Sequence, residues 1–202
     1  MEPITGIILA GGESRRMGQN KALLPAPGRE QITFVEHLAA LLLPLCAETL
    51  LVVRDETSAA DYAGLAGTRI VTDLIPGGGP LMGLYSGLRA TSTSHAIVLA
   101  VDMPFVQPAM LLYLLALPRQ EAIIVPIVNG VPQVLFAIYP RDILSIIETR
   151  LREGRRDPRS LLDMAPVEYL DEARLRQIEP MLRSFVGVNT PQELRDAVDR
   201  EA

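Results

Sequence analysis

The sequence has very few of the side chains that build disulfides and zinc sites. Of its 202 residues, one is cysteine and two are histidine. The lone Cys46 excludes an intrachain disulfide, and together with His37 and His95 it is too little for a cysteine and histidine zinc cage. A metal bound by this protein therefore has to take mainly oxygen ligands, and Mg²⁺ is the ion that such ligands indicate.

Positive charge and long apolar runs are also scarce. The 19 Lys and Arg residues are outnumbered by 24 Asp and Glu residues, so the formal net charge is −5. This balance argues against a nucleic-acid partner held by a bulk positive field. The longest apolar run, 38–47, contains Pro44 and is too short to cross a bilayer, and the first residues do not resemble a targeting segment. The sequence therefore predicts a cytoplasmic protein with no membrane partner.

Apolar side chains are abundant and are arranged in alternating short and long segments. They make up 49% of the chain, which is enough for a packed core and too much for a disordered chain. Short β-branched runs predict strands at 4–10, 49–53, 69–72, 96–101, 122–128, 133–139 and 184–188. Helical periodicity predicts helices at 33–46, 59–65, 81–90, 108–117, 143–152, 159–164 and 172–178. A last helix is expected after Thr190, which would cap it in a capping box with Glu193.

This alternation of strands and helices predicts the fold class. Strands that alternate with helices favour an α/β fold, a three-layer α/β/α sandwich around a mostly parallel sheet. No linker or repeat divides the chain, so residues 1–202 are predicted to form a single domain.

The first predicted strand ends in a glycine-rich, basic segment. Residues 9–21 read LAGGESRRMGQNK. Glycines let a backbone curl around a ligand and present N–H groups to it, and Arg15, Arg16 and Lys21 add positive charge. This combination suits a polyphosphate, although the spacing fits neither the P-loop nor the dinucleotide fingerprint.

Two further strand ends carry unusual chemistry. Residues 73–83, DLIPGGGPLMG, could close over a base or sugar, although such a loop taken alone is more typical of a surface crossover. Asp102 ends the apolar run 96–101 and is therefore expected at the mouth of the sheet, where ligands of open α/β proteins bind. Since Mg²⁺ is often held by one or two carboxylates together with phosphates and water, Asp102 is predicted as a metal ligand rather than a helix-capping acid.

Together these segments resemble a known family. The pattern Leu9-Ala10-Gly11-Gly12-x-Ser14-x-Arg16-Met17-Gly18-x-x-Lys21 resembles the signature loop of nucleotidyltransferases with a Rossmann-like fold. The segments GPLMG at 79–83, DMPF at 102–105 and VNTPQEL at 188–194 resemble one branch, the molybdenum cofactor guanylyltransferases. The resemblance covers nearly the whole chain.

The resemblance implies a reaction and its partners. The terminal phosphate of molybdopterin, or of Mo-molybdopterin, would attack GTP to form molybdopterin guanine dinucleotide and pyrophosphate, with Mg²⁺ as cofactor. Other molybdenum-cofactor proteins and molybdoenzymes are the further partners that it suggests. Arg16, Lys21 and Asp102 would be catalytic, and Asp102 would hold the metal. The nucleotide-binding residues would be Leu9, Ala10, Gly11, Gly12, Lys21, Asp55, Asp73, Gly79 and Asp102.

The acceptor side departs from the family pattern. Asn189 would contact the acceptor, but Gly187 stands where the family often has a second Asn. Asp55 stands near the position of another Asn that the family has after its second strand.

Three alternatives remain open from the sequence. A cytidylyltransferase acting on the same pterin typically has Ala at the position of Gly11. Nucleotidyltransferases for sugar phosphates or isoprenoid precursors usually have Pro before the loop lysine, where this chain has Asn20. A nucleotide-binding module without catalysis is the third, and the presence of both Lys21 and Asp102 argues against it.

Overall fold

The computed structural model of the protein describes residues 2–11 and 20–199. The strands in these ranges are β1 (Thr5–Leu9), β2 (Pro25–Ala26), β3 (Arg29–Thr33), β4 (Glu48–Val53), β5 (Thr68–Thr72), β6 (His95–Ala100), β7 (Ile123–Val128), β8 (Val131–Pro132), β9 (Phe136–Pro140) and β10 (Val167–Leu170). The α-helices are α1 (Phe34–Leu42), α2 (Glu56–Ala60), α3 (Gly79–Ala90), α4 (Pro108–Ala116), α5 (Leu144–Arg152), α6 (Glu172–Ile178) and α7 (Pro191–Asp199). Short 3₁₀ turns lie at Lys21–Leu23, Arg141–Ile143, Pro158–Leu161 and Arg183–Phe185.

Eight of the described strands form one mixed sheet in the order β10-β7-β9-β6-β1-β4-β5, with β8 paired to β7. The neighbours β6, β1, β4 and β5 are parallel to one another, as are β7 and β10. Strand β9 runs antiparallel to both of its neighbours. The short strands β2 and β3 pair in a separate hairpin. The predicted α/β fold with a mostly parallel sheet is confirmed.

Helices cover both faces of the sheet because alternate strand residues point to opposite sides. In β1, Ile8 packs in the core shared with α1, α4 and α6, whereas Ile7 packs in the core shared with α3 and α5. Both isoleucines are completely buried. The three-layer arrangement follows from this alternation.

No helix in the described residues is long and apolar enough to span a membrane.

Helix α1 begins where the sequence predicts and ends earlier. The Thr33 hydroxyl accepts from the Glu36 N–H at 3.3 Å, and the Glu36 carboxylate accepts from the Thr33 N–H at 2.7 Å, which completes a capping box. The helix ends at Leu42 rather than at 46. Pro44 lacks the N–H that a continuing helix needs.

Other element predictions need correction. The strand predicted at 184–188 is wrong: Arg183–Phe185 form a 3₁₀ turn, and the apolar pattern there reflects packing of Phe185 and Val188 rather than sheet pairing. The helix predicted at 59–65 lies at Glu56–Ala60, and the one at 159–164 is the turn Pro158–Leu161. Strand β10 and the β2–β3 hairpin are not predicted at all.

Candidate active site

The carboxyl ends of four neighbouring parallel strands meet at one edge of the sheet. Backbone hydrogen bonds continue just beyond the strand ends there. The Ala10 N–H donates to the Val52 carbonyl at 2.8 Å, the Asp73 N–H to the Val53 carbonyl at 2.8 Å, and the Val101 N–H to the Leu9 carbonyl at 3.0 Å. The loops that follow β1, β4, β5 and β6 therefore leave the sheet side by side.

A cavity of about 430 Å³ lies at this edge. Seven residues predicted as site residues line it: Leu9, Ala10, Gly11, Lys21, Asp73, Gly79 and Asp102. Gly12 and Arg16, the other two predicted from the first loop, lie outside the described residues. The roles of all nine stay predictions, but the cavity brings together the described members from three separate segments of the chain: the first loop, the loop after β5 and the end of β6.

Lys21 and Asp102 form the charged part of the cavity wall. Lys21 begins a 3₁₀ turn that Asn20 caps, since the Asn20 side-chain carbonyl accepts from the Ala22 N–H at 3.2 Å. The Lys21 Nζ lies 3.3 Å from Asp102 Oδ2 and 2.9 Å from Asn189 Oδ1. The side chains of Lys21 and Asp102 are 14% and 27% exposed, so both are held and both remain within reach of a ligand.

Asp73 is a half-buried carboxyl facing the first loop. Burial raises the pKa of Asp73 to about 6. Its Oδ1 is fully covered and has no hydrogen-bond partner in the described part of the chain. A Cβ on Gly11 would lie 3.5 Å from Asp73 Oδ2, and one on Gly83 would lie 3.7 Å from Oδ1. Asp73 is therefore an acceptor group in a narrow slot, suited to a ligand that carries N–H or O–H donors.

The start of helix α3 forms the opposite wall. Gly79 and Pro80 line the cavity at the first turn of the helix, where the positive end of the helix dipole favours anions. Gly79 has a φ of +75°, and a Cβ there would lie 3.0 Å from the Arg156 Cβ. The Leu81 N–H also donates to the Arg156 carbonyl at 2.9 Å, which ties this turn to the segment after α5.

Two arginines in the wall are not predicted from the sequence. Arg54 directly follows β4 and lines the cavity, whereas its neighbour Asp55, which was predicted, is absent from the described lining. Asp55 instead caps α2, accepting from the Ser58 N–H at 2.8 Å. Bonds from Ser58 and Arg54 lower the pKa of Asp55 to about 2. The position after β4 could have revealed Arg54, but no local pattern indicates Arg156.

A second cavity, of about 510 Å³, adjoins the first. The two share Pro80, Asp102, Leu135 and Arg156. Its other walls include Arg159 and Gly187. Asp102 therefore lies at the boundary of two spaces, each large enough for a small molecule.

The residues present suit a metal shared with a ligand rather than a protein cage. In ranges 2–11 and 20–199, no group of three or more His, Cys, Asp and Glu side chains could hold an ion. Asp102 offers a hard carboxylate oxygen next to space for a polyphosphate. This donor set fits an ion such as Mg²⁺, which commonly takes one or two carboxylates and completes its shell with phosphates and water.

A cavity at the carboxyl edge of a mostly parallel sheet, lined by glycines, a lysine and an aspartate, is typical of a nucleotide-binding α/β protein. Comparison with known proteins gives the family. Residues 6–173 match the family described as "MobA-like NTP transferase domain". The chain belongs to this family of nucleotidyltransferases.

Individual relatives agree with this assignment. The chain is 36% identical over 191 residues to the "Probable molybdenum cofactor guanylyltransferase" of Pelotomaculum thermopropionicum, covering 94% of this chain and 89% of that protein. It is 33% identical over 199 residues to the "Molybdenum cofactor guanylyltransferase" of Desulfosudis oleivorans, covering 98% and 95%. The crystal structure of molybdopterin-guanine dinucleotide biosynthesis protein A from Archaeoglobus fulgidus superposes with a TM-score of 0.82 at 27% identity, covering 98% of both chains.

Proposed function

We propose that this protein transfers GMP from GTP to the terminal phosphate of molybdopterin or Mo-molybdopterin. The products are molybdopterin guanine dinucleotide and pyrophosphate. The names of the relatives support this choice of substrates. The structural observation on which the proposal rests is that two neighbouring cavities share a wall. Asp102 belongs to both, with the Lys21 ammonium 3.3 Å from it.

In this reaction the side chains have to position the phosphates and neutralise their negative charge, and little more. An acceptor phosphate oxygen forms a bond to the α-phosphorus of GTP, and the bond from that phosphorus to the bridging oxygen of the β-phosphate breaks. The nucleophile is already an anion, so no base is needed to activate it. Phosphoryl-type transfers depend on in-line positioning and on neutralising charge at the moving oxygens, and Lys21, Arg16 and the start of α3 are assigned to that task.

The nucleoside half of GTP is assigned to the slot between the first loop and Asp73. Leu9, Ala10 and Gly11 form one side of this slot. A Cβ on Gly11 would lie 3.4 Å from the Arg54 backbone nitrogen and 3.5 Å from Asp73 Oδ2, so alanine would fill part of the gap. The absence of that methyl group favours guanine, the larger base, over cytosine.

Asp102 is the residue that would hold Mg²⁺. When bound, the ion would supply positive charge to the triphosphate and to the departing pyrophosphate. Asp102 is presented to both cavities by the end of β6, and its distance to Lys21 leaves the carboxylate and the ammonium side by side for the phosphates.

The second cavity is assigned to the acceptor. Arg156 and Arg159 in its wall offer fork-shaped donors for an anionic molecule, and Asn189 was predicted from the resemblance as an acceptor contact. Gly187, which replaces an Asn of the family, lies in this wall and leaves more room there.

We assign the protein to the cytoplasm, where GTP is available, with one domain over residues 1–202.

The test is pyrophosphate release with each nucleoside triphosphate, in the presence of Mg²⁺ and molybdopterin. GTP is expected to be used at least tenfold more efficiently than CTP, which corresponds to about 1.4 kcal/mol. Equal or better use of CTP would reject the guanylyl assignment while leaving the nucleotidyltransferase class intact. Binding of nucleotides without any pyrophosphate release would favour a non-catalytic module.

A further inference from the structure

Asn189 contacts Lys21, a charged residue in the wall of the first cavity, although the two are 168 residues apart in the chain. Its side-chain Oδ1 accepts from the Lys21 Nζ at 2.9 Å, which is shorter than the 3.3 Å between that ammonium and Asp102. The neighbouring Val188 carbonyl lies 3.4 Å from the same nitrogen. The amide of Asn189 therefore contacts the ammonium that we assign to the triphosphate.

The segment that carries Asn189 is anchored on both sides. The Val188 N–H donates to the Asp102 carbonyl at 2.8 Å, and the Val188 side chain is completely buried beside Phe105 and Ala197. The Asn189 N–H donates to a Glu193 carboxylate oxygen at 2.6 Å. The backbone of Asn189 is thus fixed to both the end of β6 and the start of α7.

The chemistry of an amide suits the task of holding a lysine for a polyphosphate. A lysine side chain has a flexible four-carbon stem, and fixing the position of its ammonium costs rotamer entropy. An amide oxygen accepts a hydrogen bond from the ammonium but carries no charge. It can therefore fix the position of Lys21 without cancelling the positive charge that attracts phosphate, as a second carboxylate would.

We infer that Asn189 is a positioning residue for the nucleotide half of the reaction, acting by holding Lys21 beside Asp102. This inference rests on the proposed function only in assigning Lys21 to a polyphosphate. It differs from the role that the resemblance implies for Asn189, which is contact with the acceptor. The C-terminal segment 188–189 thereby completes the phosphate site that the first loop begins.

Binding of inorganic pyrophosphate with Mg²⁺, measured by calorimetry, is the primary test. Asn189→Ala is expected to weaken binding about 3- to 10-fold, the effect of one hydrogen bond. Asn189→Asp should weaken it by more than about tenfold, because a second carboxylate opposes the anion. Asn189 is exposed, so both variants should fold normally. Gln192→Ala is the matched control, since that side chain bonds only within α7 among the described contacts, and it should bind like the wild type.

A double-mutant cycle separates action through Lys21 from a general effect. In a Lys21→Ala background, Asn189→Ala should change pyrophosphate binding by less than about twofold, because the group it holds is gone. An equal loss in both backgrounds would overturn the inference. So would a rise in the KM for the acceptor alone with unchanged pyrophosphate and GTP binding, which would return Asn189 to the acceptor site. Pyrophosphate binding does not depend on the base, so an incorrect guanylyl assignment would leave this test valid.

Discussion

At the scale of single residues, three aspartates at the same sheet edge have different surroundings and therefore different properties. Asp55 accepts bonds that lower its pKa to about 2, and its work is to cap α2. Burial raises the pKa of Asp73 to about 6. Asp102 lies beside Lys21 at the boundary of the two cavities. Residue type alone does not distinguish these roles, because each is set by the neighbours that the fold supplies.

Asp102→Asn tests the assignment of the metal and the charge. The variant keeps the side-chain shape but loses the negative charge, so it should fold and bind GTP weakly. Its rate of pyrophosphate release should fall by orders of magnitude because the metal is no longer held. A magnesium titration of wild type, variant and the control Asp163→Asn, which is outside both cavities, measures this. A near-normal rate with unchanged magnesium dependence would place the metal elsewhere, with Asp73 as the next candidate.

Asp73→Asn tests the buried carboxyl through the pH dependence of stability. The pKa of Asp73 in the folded state, about 6, exceeds the usual value of 3.8, so the folded state holds the proton more tightly than the unfolded state does. Its stabilising effect is fully present below pH 4 and is lost as the pH rises through 6. The wild type should therefore lose stability relative to Asp73→Asn between pH 4 and 7. The difference is expected on the order of 1–2 kcal/mol, after a discount for solvent at a half-buried group.

Urea denaturation at a series of pH values measures this difference. Asp55→Asn serves as a control of opposite sign, since its lowered pKa gives a contribution that is present above pH 4 and is lost as the pH falls toward 2. A constant difference between wild type and Asp73→Asn from pH 4 to 7 would contradict the raised pKa.

At the scale of elements, the start of α3 joins the two cavities. Gly79 opens the helix with φ at +75°, which favours glycine. Its backbone packs directly against Arg156, whose carbonyl accepts from the Leu81 N–H at 2.9 Å. The loop after β5 and the segment after α5 thereby form one wall. The helix supplies the anion-attracting end, and Arg156 lines both cavities.

Gly79→Ala should disturb this wall. The methyl group would lie 3.0 Å from the Arg156 Cβ and 3.2 Å from its carbonyl oxygen, on a backbone that side chains rarely adopt. A loss of about 1–3 kcal/mol in the free energy of unfolding is expected, together with weaker nucleotide binding. Gly64→Ala is the control, because a Cβ there meets nothing within 4 Å. Equal stability of the two variants would contradict the proposed close approach.

At the scale of the whole molecule, the site is assembled from segments that are far apart in the chain. The first loop, the loop after β5, the end of β6, the segment after α5 and Asn189 all meet at one edge. A ligand that fills this cavity would contact several of these segments at once, and the unfolded chain would not present them together. Its binding free energy therefore adds to the stability of the entire protein.

A thermal shift measures this coupling. With Mg²⁺ and GTP at a hundred times the dissociation constant, stabilisation of about 2.7 kcal/mol is expected. For a chain of this size, that corresponds to a rise in Tm of roughly 5–10 °C. CTP at the same concentration should give a smaller shift, and Lys21→Ala should reduce the shift with GTP. Equal shifts with both nucleotides would count against the narrow slot at Gly11 as the determinant of base choice.

Much of the fold could be predicted because its signals are local. The apolar runs around Ile7 and Val98 mark strands buried on both faces, and the box of Thr33 and Glu36 marks the start of α1. The prediction of a strand at 184–188 was wrong because an apolar pattern indicates burial and does not by itself indicate sheet pairing. Strand β10 is short, partly exposed and carries Glu168 and Tyr169, so its pattern is weak.

The sequence by itself determined the α/β class, the central strands β1, β4, β5 and β6, and the loops after them that carry Gly11, Lys21, Asp73 and Asp102. These depend on residues close together in the chain, whose patterns can be seen directly. Only the tertiary structure decided that Arg54 rather than Asp55 lines the cavity. It also decided that Arg156 packs against the start of α3 and that Asn189 contacts Lys21. Those contacts depend on packing between distant segments, which has no local signature, because it is set by how the helices and loops settle on the two faces of the finished sheet.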